Sequence, residues 1–112
     1  MFNYQINVEY LGTNFVGWQF QKNGVSVQEV LEKALSKFLK DKIKVIGSGR
    51  TDTGVNALGQ SGNFYSNIEI KNTFKFLSTL NFYLTEHDIS VLKLKRRELK
   101  FHSRHSAKKR QY

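Results

Sequence analysis

Arg50 and Asp52 stand two residues apart in the stretch Gly47 to Gln60, GSGRTDTGVNALGQ, and this guanidinium beside a carboxylate is the pairing in the chain best suited to chemistry. A cation within a few ångströms favours the ionised form of an acid, so Asp52 would be available at neutral pH as a nucleophile or base. The glycines that punctuate the stretch make it read as a loop whose backbone can approach a ligand closely. The same residue types are also the commonest turn formers. Asp52 capping Gly54 or Val55 in an Asx-turn fits the local composition as well.

Other chemistries find less support. The chain has no cysteine, which excludes a disulfide framework, a thiolate metal site and a thiol nucleophile. Its histidines, His87, His102 and His105, have no carboxylate at ligand spacing, and the last two lie in a basic run that repels cations. The expectation is therefore no metal. The amino terminus enters a strand-like pattern at once, with neither the charged start nor the apolar run of a signal peptide or membrane span. A cytoplasmic protein away from membranes is the expectation.

The net charge is +9, and it is concentrated at one end. From Lys93 to Tyr112 nine basic residues face Glu98 alone, leaving only +1 for the rest of the chain. Such a cluster draws polyanions by counterion release, and nucleic acid is the commonest of these in a cytoplasm. A solvated, fraying tail is the alternative, although Phe101 and Tyr112 interrupt the charge as a disordered basic arm usually would not.

The elements that must position these groups follow from periodicity. Tyr4, Ile6, Val8 and Tyr10 alternate with Asn3, Gln5, Asn7 and Glu9, the pattern of a strand with one face buried. A loop from Leu11 to Gly24 carries Phe15, Trp18 and Phe20, which either cover the sheet or offer stacking contacts to a base or another subunit. Ser26 with Glu29 is a capping-box signal for a helix over 27–40, whose Val27, Val30, Leu31, Ala34, Leu35 and Phe38 form one stripe. Ile43, Val45 and Ile46 make a short second strand leading into the Arg50–Asp52 loop, and residues 57–65 resume an extended pattern weakened by Gly59 and Gly62. Asn72 or Thr73 caps a second helix with Phe74, Leu77, Leu80 and Leu84, and Ile89 to Leu94 is a fourth strand. The order strand, helix, strand, strand, helix, strand predicts one α+β domain over 1–112, a ferredoxin-like split βαβ unit whose antiparallel sheet carries both helices on one face. That fold alone leaves function open.

The motifs in this order resemble the N-terminal half of the TruA family of tRNA pseudouridine synthases. GTNFVGWQFQ after the first strand is similar to the family's opening segment, SVQEVLEKAL to its first helix, GSGRTDTGVNALGQ to its catalytic motif, and FHSRHSAKKRQY to the segment ending in its active-site tyrosine. The resemblance implies that Asp52 is the catalytic aspartate, that Arg50 engages the carboxylate and the RNA, and that Tyr112 stacks on the target uracil. Arg104, Lys108 and Arg110 are then expected to hold tRNA phosphates. The implied reaction is isomerisation of uridine to pseudouridine in the anticodon stem-loop of tRNA, by a homodimer and without metal or cofactor. Whether Asp52 attacks the sugar or the base is open. The target base must leave its stack, which calls for a stacking aromatic and a basic backbone track.

Leu11 stands where the family usually has aspartate, Asn56 where it has histidine, and Thr85 where proline is common. None of these removes the carboxylate, the arginine or the tyrosine. The second half of the family's chain, which supplies another basic residue and completes the tRNA cleft, has no counterpart here, so the expectation is a fragment or single-domain cut that is inactive alone. The alternative function is a non-catalytic RNA-binding ferredoxin-like module, against which stands a loop carrying Arg50 and Asp52. A structural half that only pairs with another chain is a third reading.

Overall fold

The computed structural model of the chain describes residues 1–11, 26–53 and 58–102, with the backbone alone at 48–53 and 58. Its elements run β1 (Phe2–Tyr10), α1 (Val27–Leu39), β2 (Val45–Thr53), β3 (Leu58–Ser66), α2 (Thr73–Leu84), a 3-10 turn (Thr85–His87) and β4 (Ile89–Arg97). The strands form one antiparallel sheet in the order β2-β3-β1-β4, the ferredoxin-like α+β topology that the element order predicts.

One face of the sheet is apolar because β1 alternates. Tyr4, Ile6, Val8 and Tyr10 are buried together with Val27, Leu31, Ala34 and Leu35 of α1 and Leu80 and Leu84 of α2. Both helices therefore lie on that face. Each such aliphatic side chain contributes about 1.5–3 kcal/mol on burial, so the layer is the main source of stability. Ser26 caps α1 by accepting from the Glu29 amide at 3.2 Å, and Asn72 caps α2 by accepting from Lys75 at 3.0 Å. α1 ends one residue earlier than its periodicity suggests, with Lys40 taking the left-handed C-cap conformation at φ 52°. Phe74 departs from its predicted stripe. It is 80% exposed, because the packed face of α2 runs through Phe76, Leu77, Leu80 and Leu84 and Phe74 lies to one side of it.

The larger correction concerns the stretch from Gly47 to Gln60. Residues 45–53 and 58–66 are strands that pair with each other, so much of the expected loop is strand, and residues 54–57 lie outside the described residues. Gly, Ser and Asp have little intrinsic strand preference, and pairing with β3 overrides it. Gly62 shows why small residues recur here. A Cβ at this position would sit 2.9 Å from the Ile46 carbonyl oxygen of the neighbouring strand, the close backbone approach expected of a glycine within a strand.

β4 contains a β-bulge. Val8 pairs with Val91 but Asn7 pairs with Lys93, so Leu92 is the extra residue. The bulge reconciles two apolar alternations of opposite phase: Ile89 and Val91 are buried before it, and Leu94 packs against the core after it. β4 also runs to Arg97, three residues beyond its apolar part.

Both edge strands are capped by the helix that packs beside them. The Val45 amide donates to Glu32 Oε2 at 2.8 Å, and Gln28 Nε2 donates to the Val45 carbonyl at 2.9 Å. On the other edge Asn81 accepts from the Val91 amide at 2.8 Å and donates to its carbonyl at 2.9 Å. Gly62→Ala is expected to destabilise the protein by about 1–3 kcal/mol, since backbone atoms must give way. A urea titration followed by circular dichroism reads this, and an unchanged midpoint would show that β2 and β3 can separate without cost.

Candidate nucleic-acid interface

The sheet face opposite the helices is polar, and its residues fall into rows across the strands. One row is Arg97, Asn3 and Tyr65; the next is Lys95, Gln5, Asn63 and Ile46; the third is Lys93, Asn7 and Ser61; the fourth is Ser90, Glu9, Gly59 and the backbone of Asp52. Carboxamides and hydroxyls fill the centre, lysines line the β4 side, and Glu9 is the single acid in the described part of these rows. The sequence shows the polar half of the β1 alternation, but the order of the rows needs the register and the bulge.

At the first row the chain folds back over the sheet. Asn3 Nδ2 donates to the carbonyls of Glu98 at 2.9 Å and Phe101 at 2.8 Å, and Asn3 Oδ1 accepts from Asn63 Nδ2 at 3.1 Å. The Tyr65 hydroxyl also donates to the Phe101 carbonyl, at 3.1 Å. Asn3 and Asn63 are fully buried, and Phe101 is 7% exposed beneath the Arg97 guanidinium, whose carbon lies 4.1 Å from the ring centroid. Arg97 donates to Gln5 Oε1 at 2.8 Å as well. This knot fixes residues 98–101, from which the chain leads towards its basic C-terminal stretch. Nothing local in the sequence marks Asn3 as its centre, because the partners of Asn3 lie sixty or more residues away.

The predicted site residues divide accordingly. Asp52 lies in β2 with its backbone paired to Gly59, in the row that begins at Ser90 of β4. Arg50 lies in the same strand, within the irregularity between Gly47 and Thr51. The side chains of both are outside the described part, so the predicted pairing of guanidinium and carboxylate is carried by sequence alone. Arg104, Lys108, Arg110, Tyr112, Asn56, and the loop aromatics Phe15, Trp18 and Phe20 also lie outside the described residues. Of the remaining departures from the family pattern, Thr85 gives its backbone amide to the Asn81 carbonyl at the end of α2, a bond that proline lacks a donor to make. Leu11 is exposed, and its amide donates to the Asp88 carbonyl at 3.2 Å.

Among the described residues no group of His, Cys, Asp and Glu could hold a metal ion. No described helix is long and apolar enough to cross a membrane. A polar, lysine-edged sheet face with a fixed C-terminal exit suits a polyanion that lies along the sheet.

Comparison with known proteins agrees with that geometry. The sequence model of one family, described as tRNA pseudouridine synthase, matches residues 6–106. The chain belongs to this family. It is 54% identical over all 112 residues to a protein of Pelagibacter ubique named tRNA pseudouridine synthase A, of which it covers 46%. Proteins of the same name from Thermoanaerobacter sp. strain X514 and Ehrlichia ruminantium strain Gardel are 49% and 44% identical, over 112 and 110 residues that make up 45% and 44% of their lengths. The chain thus spans a little under half the length of these curated relatives, and the matched family region includes the knot at Asn3 only through its partners Asn63, Glu98 and Phe101.

Asn3→Ala removes three hydrogen bonds, to Asn63 and to the Glu98 and Phe101 carbonyls, and empties a buried position, so a loss of about 1–3 kcal/mol is expected. The Phe101 amide, which donates to the Glu98 carbonyl at 3.1 Å, should lose hydrogen-exchange protection at the same time. Full protection at Phe101 in the variant would show that the segment is held without Asn3.

Proposed function

We propose that this chain is the catalytic-aspartate half of a tRNA pseudouridine synthase, and that Asp52 is the nucleophile that isomerises uridine to pseudouridine in the anticodon stem-loop of tRNA. The observation that carries the reading is the family match over residues 6–106, which includes GSGRTDTG with both Arg50 and Asp52 present. In the reaction, an Asp52 carboxylate oxygen bonds to the nucleotide and the bond between the base nitrogen and C1′ breaks. The uracil then turns and C5 bonds to C1′. The C5 proton leaves, the base nitrogen gains a proton, and the carboxylate is released. Addition of Asp52 to C1′ of the sugar and addition to C6 of the base both satisfy this balance. The reaction is an isomerisation and needs no redox partner.

Arg50 holds the carboxylate ionised and contacts the RNA, Tyr112 stacks on the extruded uracil, and Arg104, Lys108 and Arg110 hold phosphates. Chain length supports the role of Tyr112. Tyr112 follows Phe101 by eleven positions. That gives a reach of up to about 36 Å, against roughly 20–25 Å across the sheet from the Asn3 row to the Asp52 row. The active species is a cytoplasmic homodimer of the full-length protein. A second half, such as the relatives carry, supplies the remaining basic group of the site and the rest of the cleft.

Asp52→Asn in the full-length protein is expected to abolish pseudouridine formation while tRNA affinity stays within about tenfold, or ~1.4 kcal/mol. Tritium release from tRNA labelled at uracil C5 measures the first and filter binding the second. Wild-type release by the variant would reduce Asp52 to a turn former.

Neutralising Arg104, Lys108 and Arg110 together should weaken binding to all tRNAs alike and flatten the salt dependence by roughly one slope unit per lost contact. An unchanged slope would leave these side chains as surface solvation only.

A further inference from the structure

The basic run that begins at Lys93 is not uniform once folded. Arg96 is tied to Glu69 at 2.9 Å and lies over the Phe2 ring, with its carbon 4.7 Å from the centroid. Arg97 is tied to Gln5 and to the Phe101 ring. Lys93 and Lys95 differ. Both are exposed, and the bulge at Leu92 turns both to the polar sheet face, where their neighbours on β1 are the uncharged Asn7 and Gln5. Among the described residues neither lysine is engaged in an ion pair.

We infer that Lys93 and Lys95 form a phosphodiester-binding rail along the exposed β4 side of the polar sheet face, over which an RNA strand runs from the Phe101 knot towards the row that holds Asp52. The inference rests on the RNA-modifying reading above and adds to it a second set of phosphate contacts, on a rigid strand and separate from the C-terminal stretch. Two positions along one face of a strand are about 6.6 Å apart, a spacing comparable with that of successive phosphates in a nucleic-acid strand. The hydroxyl of Ser61, which accepts from Gln5 Nε2 at 3.4 Å, and the carboxamide of Asn7 stand beside the rail as donors suited to sugar and phosphate oxygens. Arg96 and Arg97 are excluded from the rail because each already holds a structural partner. A protein partner fits this face poorly, since lysine is depleted at the centres of protein interfaces and this face offers few apolar side chains to bury.

Lysine on an edge strand can also act only to discourage strand pairing between molecules, and the experiment separates the two roles. tRNA affinity is measured across about 50–200 mM salt for the full-length protein, for Lys93→Gln with Lys95→Gln, and for Lys33→Gln with Lys75→Gln, which removes equal charge from the helix side. The rail predicts a slope of log affinity against log salt that is shallower by about 0.7–0.9 per lost contact in the first pair only, and restored by Lys93→Arg with Lys95→Arg. Equal slope changes in both Gln pairs, or none in the first, overturn the rail while leaving the RNA reading intact. A full-length wild-type protein that does not bind tRNA overturns the reading and the rail together. As a check without substitution, acetylation of the wild-type protein should be slowed by bound tRNA at Lys93 and Lys95 but not at Lys33 and Lys75. Equal acetylation with and without tRNA at the first two sites overturns the rail, and self-association of the Gln pair with an unchanged slope assigns the lysines to edge protection.

Discussion

The buried carboxamide of Asn3 is the interaction on which the remaining geometry depends. β1 is a central strand, yet it is the first element made, and one of its neighbours is the last. A polar group with no exposure is costly unless each of its hydrogen bonds is made, and Asn3 makes them with Asn63, Glu98 and Phe101, on β3 and beyond β4. The amide is therefore satisfied only when the sheet is complete. Its cost falls on every partly formed arrangement and vanishes in the native one, which favours a single register for three strands. It also defines where the chain leaves the sheet. Everything after Phe101 starts from a fixed point on the polar face.

Much of the frame was legible in the sequence because it is written in local patterns. The alternation of β1, the Ser26 cap with its apolar stripe, and the Asn72 cap each depend on residues within one or two turns of one another, and all three appear in the structure. What was not legible depends on partners far along the chain. The later part of β2 looked like a loop because glycine, serine and aspartate hide its pairing, and Phe74 looked internal because its spacing to Leu77 suggests a stripe that the packed face, through Phe76, Leu80 and Leu84, does not follow. The side chains that close the edges, Gln28, Glu32 and Asn81, have the composition of an ordinary solvated helix face. For the site, the Arg50–Asp52 motif was readable by resemblance, but its location on a strand was not. The division of the basic run into structural arginines and free-facing lysines required the register of β4.

The two helices do more than cover the sheet. Asn81 presents to Val91 one acceptor and one donor, the complement that a further strand would present, and Gln28 and Glu32 together do the same for Val45. Edge strands invite pairing with other chains, and occupying their outward groups blocks it at these points without adding a strand. The same bonds orient β2 at the start of the strand that carries Arg50 and Asp52. Protection of the edge and placement of the candidate site thus share one set of side chains.

The bulge at Leu92 makes β4 sensitive to parity. Before it, odd-numbered residues face the core; after it, even-numbered ones do. A strand kept regular through Leu92 would turn Lys93 and Lys95 towards the helices and Leu94 to water, or Ile89 and Val91 out of the core. Loss of Leu92 itself would do neither. Val91 and Lys93 would then be adjacent and on opposite faces, as they are now, and the bulge would close into plain alternation. The extra residue therefore leaves the two faces as they are and contributes the local bend and added twist that a bulge gives an edge strand.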